Sequence, residues 1–599
     1  MKYNKIIIAA AMMLVGATYS CTDEWDEHYE SKTLGSGSLW QAISSDEQLS
    51  NFKAVLEATG YDAALAGSQV FTVFAPTNEY FSEAERDAII QQYNEQKNAS
   101  VKDSKNLAIK EFVHNHIALY NYSVSPASVD TTISMMNGKY IAFTKSSFAN
   151  HDYASSNIVT SNGVLFTIKG KSTYEPNMLE YLEKDADLDS VKNFIYHYNI
   201  EKFLPEESVP GEIVDGKINY LDSVTVTQNE ILTDWLGALI NDEDSSYVML
   251  VPSNAAWDAQ LAKNLSYFKY DKEVAERDSF EYIFPRINIL GGTVFSKTTN
   301  PNILSTSVDS VMSTNSIPYS LREMTYGSYA KKYYVYDKPY AADGIFSGTT
   351  DVALSNGIIK KADDWKVSRK QTFLREIVME GESNTTIDSL NIRSTNNTTG
   401  NTLPAAYYSV SSDNKFYNKV SGHGYVEIAP SGSANVTNAL FDIRNVLSGV
   451  PYDVYVVLAP AEAGDTLASE SQRLPTVFRC AMQCHGLDGN AYYIQKGVDY
   501  AADPSHVTKY PVFPGNNKNN KPNAPNTVTY VDKLTNKDGV SVDSVFVGTY
   551  TFPTSSYNVS EAQVKMLIDG RTSNSQVNKG THTKTLRIDC IVFKPHDEE

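Results

Sequence analysis

The sequence predicts a multidomain chain of mixed class, with two α+β domains of one kind followed by an all-β sandwich. Three observations predict it. A strand–proline–polar–asparagine motif occurs twice, at Val70–Asn78 and at Val248–Asn254. Each copy is followed, at a domain-sized distance, by a hairpin signal of one type, Ser161-Asn162-Gly163-Val164-Leu165 and Ser355-Asn356-Gly357-Ile358-Ile359. From Gln371 onward the helical period fades, and alternating strands punctuated by turn residues replace it. A repeat this long is a whole domain and not a solenoid unit. A chain of 599 residues has room for about three or four domains.

The first residues read as an address. Lys2 and Lys5 precede an apolar run, Ile6 to Val15, and mostly small residues then lead to Cys21. That is the order of a signal peptide, and the run is short for a membrane span. Cys21 after Ser20 resembles the lipobox of bacterial lipoproteins. The resemblance implies a signal over residues 1–20, a diacylated Cys21 as the mature N-terminus, and a polar tether over 21–35. The acidic Asp23-Glu24-Trp25-Asp26-Glu27 is similar to a surface-export signal, which implies the outer membrane, facing the exterior.

Within the first domain, Leu39, Ile43, Leu49, Phe52, Val55 and Leu56 recur near helical spacing, and Gly60 stops the run. Val70–Ala75 is a strand that Pro76 breaks, and Thr77 or Asn78 can cap the helix after it. An amphipathic stretch follows near Leu107–Leu119, with strands near Lys139–Phe143 and Asn157–Thr160. Gly163 then turns the chain into Val164–Ile168.

Thr72-Val73-Phe74-Ala75-Pro76-Thr77-Asn78 resembles the first signature of the fasciclin domain, and Asn162-Gly163-Val164-Leu165 resembles the second. Phe112-Val113-His114-Asn115-His116 is similar to the central motif, with His116 at its histidine. The resemblance implies one fasciclin-like domain over 36–173. A divergent second over 174–366 carries inserts around Pro205–Val214 and Ser313–Ala342, and Asn288 stands at the histidine's place. The implied role is adhesion to extracellular protein or glycan ligands, without catalysis. The physical reading of the motif residues is structural, with His116 a satisfied core residue.

Residues 367–599 carry strands near Tyr425–Ile428, Ala439–Val446, Tyr452–Leu458, Val477–Met482, Val545–Tyr550 and Thr585–Phe593. The set resembles galactose-binding-type jelly rolls, whose last strand returns beside the first. A long segment, Gly486–Thr529, reads as a loop, so its Tyr492, Tyr493, Tyr500, Tyr510 and Phe513 are candidate sugar-stacking rings. That loop supports the alternative of an accessory glycan-capture protein serving a polysaccharide uptake system.

The net charge of −20 argues against nucleic acid as a partner. No phosphate loop, zinc helix or nucleophile elbow occurs, so no cofactor, metal or catalytic residue is assigned. Asp185-Ala186-Asp187-Leu188-Asp189 starts like a calcium loop but lacks its glycine and closing glutamate, and reads as an acidic helix start. Cys480, Cys484 and Cys590 read as small buried residues, as one disulfide of Cys590 with either of the others, or as a metal or haem site, although Cys480-Ala-Met-Gln-Cys484-His485 has one residue too many between its cysteines for a c-type haem motif. Asp-Ser/Thr-apolar triplets and their relatives make Thr131, Ser190, Ser223, Ser310, Ser389, Thr466 and Ser544 candidate O-glycan carriers. They resemble the acceptor motif of a general bacterial glycosylation system.

Overall fold

The computed structural model describes residues 37–206, 209–214, 217–222, 225–315, 334–382, 393–396, 399–402, 406–430, 436–494, 496–497, 508–509, 530–560 and 563–596. Cys21, the signal and the tether lie outside them, as do Ser223, Ser389, Tyr500, Tyr510 and Phe513. The chain divides into two compact units, Met1–Pro176 and Asn177–Glu599.

In the first unit, helices Leu39–Ser44 and Ser50–Thr59 lay Leu39, Ile43, Phe52, Val55 and Leu56 into one core. Gly60 ends the second helix in the left-handed conformation, where a glycine is least strained. Strand Phe71–Pro76 lies second in the sheet, parallel to Gly163–Ile168 and antiparallel to the edge strand Ile117–Ala118. Both strands of the parallel pair are buried along their whole length. Strands His151–Thr160, Ser147–Phe148, Tyr140–Phe143 and Thr131–Ser134 extend the sheet. The amphipathic stretch becomes a short π-helical turn, Ile109–Val113.

One expectation is corrected. The helix after Pro76 is Glu83–Asn98, and Ser82 caps it in a capping box with Glu85. Thr77 and Asn78 lie too far upstream to reach its first amides.

The second unit repeats the central connectivity. Strand Tyr247–Pro252 runs parallel to Gly357–Ala362 and antiparallel to Val294–Ser296, with Thr350–Leu354 outside. Residues beyond 366 form two antiparallel sheets. One joins Ala406–Ser409, Gly424–Ile428, Leu586–Pro595, Pro451–Leu458 and Asp543–Thr551 in that order, with Ile377–Glu380 also on Leu586–Pro595. The other centres on Val436–Ile443, Val564–Gly570 and Val477–His485. Inward residues of both, among them Val454, Val456, Phe441, Met482 and Met566, share one core.

That core does not stop at the 366/367 boundary. Phe268 packs against Phe373 and Tyr557, and Phe284 against Tyr557, with ring centroids 5.1 to 5.5 Å apart. Backbone and side-chain bonds stitch the same seam. Ser448 donates its amide to Tyr267 O at 3.0 Å and accepts from the Lys269 amide at 2.9 Å. Tyr270 donates its hydroxyl to Tyr557 O at 3.0 Å. His485 Nδ1 lies 2.8 Å from the carboxylate of Asp271.

Candidate functional site

The motif residues of the first unit are turned inward. Asn162 Oδ1 accepts from the Leu39 amide at 2.7 Å, and its Nδ2 donates to Leu65 O at 2.9 Å and Gly67 O at 2.8 Å. Gly163 follows at φ 147°, where a Cβ would sit 1.9 Å from Phe71 O, so only glycine fits the crossing. Asn78 accepts from the Asn51 amide and donates to Glu47 O at 2.9 Å and Ser50 Oγ at 3.0 Å. Thr72 donates to Tyr120 O at 2.6 Å and accepts from the Tyr122 amide at 2.8 Å. The Thr77 amide donates to Ile168 O at 3.2 Å, holding the corner that Pro76 begins.

His116 is buried, with Nδ1 2.8 Å from Phe112 O and Nε2 accepting the Ser172 amide at 3.1 Å. Those partners fix the neutral tautomer with the proton on Nδ1. Burial pushes its pKa down to about 4, and does the same for half-buried His114, which meets the Tyr61 hydroxyl. The side-chain polar groups of Thr72, Asn78, His116 and Asn162 are thus all engaged in bonds within the domain.

The second unit repeats these bonds. Asn356 Oδ1 accepts from the Met178 amide at 3.0 Å, and its Nδ2 donates to Ile240 O at 2.8 Å and Asp242 O at 3.1 Å. Gly357 takes φ 148°, with Tyr247 O 2.0 Å from a would-be Cβ. Asn254 accepts from the Ser190 amide and donates to Ala186 O. Asn288 donates to Phe284 O at 2.9 Å, four residues back, as His116 does to Phe112.

The candidate sugar-stacking rings are corrected where they are described. Ala491–Ile494 is a strand of the second sheet and not part of a loop. Consecutive strand residues face opposite sides, and both sides are covered here, so Tyr492 and Tyr493 are only 5% and 4% exposed. Tyr492 also spends its hydroxyl on Asp488. Cys480, Cys484 and Cys590 are free and buried. Cys480 and Cys484 lie in one sheet and Cys590 in the other, so the disulfide alternative does not hold.

A cluster that sequence reasoning missed lies where strand Leu586–Pro595 changes neighbours. Ile588 pairs with Val426, and Cys590 pairs with Glu380. Asp589 sits between them, at a register shift against Pro451–Leu458. Such a bulge re-aims a side chain. The Asp589 carboxylate is fully buried, accepts from the Ser421 amide at 3.0 Å through Oδ1, and has no hydrogen-bond partner at Oδ2. Ser421 also donates its hydroxyl to Glu380 Oε1 at 2.7 Å. Glu382 Oε2 is a second buried oxygen without a partner. Gly422 makes the approach possible, since a Cβ there would sit 2.4 Å from Glu382 Oε1.

Ligand atoms of Glu380, Asp589 and Cys590 lie within 4.8 Å of one another. Burial pushes Asp589 up to about 9 and Glu382 to about 7, with the neighbouring carboxylates adding to both. Glu380 is raised by burial, against the Ser421 hydrogen bond. Cys590 is driven up by burial and then by the same carboxylates. Crowded, desolvated carboxylates of this kind are what a bound cation neutralises. The carboxylates of Glu380 and Asp589, with the Ser421 hydroxyl beside them, suit a hard divalent ion of the calcium class, for which the Cys590 thiol is not a ligand. Asp589, charged within an apolar strand, and the Glu380-Gly381-Glu382 triplet were the available signals.

With this geometry in place, comparison with known proteins decides the first unit: the fasciclin domain model matches residues 47–170. Residues 47–170 form a fasciclin domain. The solved FAS1 domain pair from the insect cell adhesion molecule fasciclin I is 12% identical, covering 54% of this chain and 97% of its own, at a TM-score of 0.17. The C-terminal family 22 carbohydrate binding module of Clostridium thermocellum Xyn10B is 11% identical, covering 37% of this chain and 91% of its own, at a TM-score of 0.17. No curated protein matches the chain. No helix among the described residues is long and apolar enough to cross a membrane.

Proposed function

We propose that this chain is a lipid-anchored surface protein that works by adhesion and not by catalysis. Two fasciclin-type domains, 36–173 and 174–366, precede a β-sandwich, 367–599, and offer contact surface to extracellular protein or glycan ligands. The observation that carries this reading is the fasciclin domain at 47–170, whose motif polar groups are consumed in holding the fold. The repeated bonds of Asn254, Asn288 and Asn356 support a second domain of the same kind. Cys21 after the signal-like segment supports the anchor, since two or more acyl chains give stable attachment.

Protease shaving of intact cells tests the location, with Cys21→Ala as the variant that sheds the protein. Resistance to shaving until the outer membrane is breached removes the adhesive role. Binding of the whole chain to matrix-protein and glycan arrays tests the activity. Binding to glycans that maps to 367–599 alone favours capture for an uptake system, a reading that has lost its Tyr492 and Tyr493 platform.

The Glu380–Glu382–Asp589 cluster is read as a structural site for a calcium-class cation that closes the β-sandwich. Calcium should raise the melting temperature of the wild-type chain and leave Asp589→Asn unmoved. An equal response of the two refutes the site. The hydroxyl-bearing residues Thr131, Ser310, Thr466 and Ser544 are exposed, and Ser190 is half-buried on helix Asp189–His197. The four exposed residues suit glycan acceptors, and an intact mass equal to polypeptide plus lipid removes that modification.

A further inference from the structure

We propose that cation binding at Glu380, Glu382 and Asp589 fixes the junction between residues 177–366 and 367–599. That body is stiff when the site is filled and hinged across residues 363–376 when it is stripped. The inference rests on the cation reading above and adds to it a consequence for the neighbouring domain.

The site and the junction share one short piece of chain. Strand Gly357–Ala362 belongs to the sheet of residues 247–362, and the next strand is Ile377–Glu380. Among the described residues, Ile377–Glu380 pairs only with Leu586–Pro595, so one ladder holds it. Its inward residues Ile377 and Met379 enter the same core as Phe268. Just upstream, Phe373 packs on Phe268 and Tyr267 at 5.4 and 6.2 Å between ring centroids. Arg369 lies over the Tyr267 ring and donates to its hydroxyl. Tyr267, Lys269 and Tyr270 are the residues that bond across the seam to Ser448, Ser555 and Tyr557.

A cation held by Glu380 and Glu382 on one side and Asp589 on the other pins this strand at its open end. Without it, Asp589 Oδ2 and Glu382 Oε2 are left buried with no hydrogen-bond partner, and the cheapest relief is to move the strand that, among the described residues, one ladder holds. The first residues to follow are Phe373 and Leu374, which wedge the junction. The hydrogen bonds of the seam converge on the Tyr267–Asp271 segment, so loss of the wedge beside it loosens that segment.

The experiment is hydrogen exchange of the whole chain, read by mass spectrometry, in millimolar calcium chloride and after EGTA, alongside equilibrium dialysis with radioactive calcium. One ion should bind per chain. EGTA should accelerate exchange about tenfold in peptides covering 265–273 and 370–380 and leave the first-domain strand Phe71–Pro76 unchanged. Glu382→Gln should exchange like the stripped protein in both buffers, and Asp589→Asn serves if that variant fails to fold. No bound calcium overturns the cation reading and this inference together. Calcium bound with no change at 265–273 overturns this inference alone and leaves the site standing.

Discussion

Acid should destabilise the first domain through two shielded rings, His114 and His116, of which His116 is the more deeply buried. His116 is fully buried, its Nδ1–H donates to Phe112 O, and its Nε2 accepts from Ser172. A second proton at Nε2 would displace that acceptor bond and put a charge where water cannot reach it. Folding lowers the pKa from 6.5 to about 4. The unfolded chain therefore takes up the proton first, and stability is lost as pH falls from 6.5 to about 4 and levels off below. At 1.36 kcal/mol per unit, the loss is about 3 kcal/mol in full and about 2 kcal/mol by pH 5.

His116→Asn separates this titration from packing, because Asn288 shows that an amide can make the same bond four residues back. The variant leaves the Ser172 amide without its acceptor and should be less stable at pH 7 by about 1–3 kcal/mol. Between pH 7 and 5 its slope should fall to the share that His114 supplies. Native-state hydrogen exchange of peptides within 39–113 in the whole chain reads both effects. A variant that keeps the wild-type slope refutes the assignment of the pH dependence to this ring.

Asn356→Ala removes an acceptor for the Met178 amide and a donor to two carbonyls, and should cost about 2–3 kcal/mol by urea unfolding. Gly163→Ala places a Cβ 1.9 Å from Phe71 O and should prevent folding of the first domain, whereas Gly60→Ala, with nothing within 4 Å of the added atom, should cost about 1 kcal/mol by the same assay. Cys480, Cys484 and Cys590, buried and raised in pKa, should resist iodoacetamide in the native protein and react in denaturant without prior reduction.

The fasciclin frame was legible because its signals are local. Asn162-Gly163 declares a positive φ and a buried amide within two residues, and Asn356-Gly357 takes the same conformation in the second unit. Pro76-Thr77-Asn78 declares the end of a strand. What Asn78 does after the corner was not legible, since its partners Glu47, Ser50 and Asn51 lie on another element. The strands around Leu440, Val454 and Ile588 followed from alternation. Alternation failed at Asp589, because a bulge changes which face the side chain takes. Glu380 and Glu382 lie almost a whole β-region away from Asp589, so no spacing rule links them. Tyr492 and Tyr493 were misplaced for a related reason. Their strand pairs with Val477–His485 across a turn, and the segment after it has the composition of a loop.

The parallel strands of the first domain, Phe71–Pro76 and Gly163–Ile168, lie side by side yet come from its beginning and its end. Helix Leu39–Ser44 likewise waits for Asn162 to accept its first amide. A polypeptide threaded from its N-terminus, off a ribosome or through a pore, therefore cannot close this sheet until the last hairpin has emerged. High contact order of this kind slows collapse. The final hairpin is thereby the latch whose arrival commits the domain.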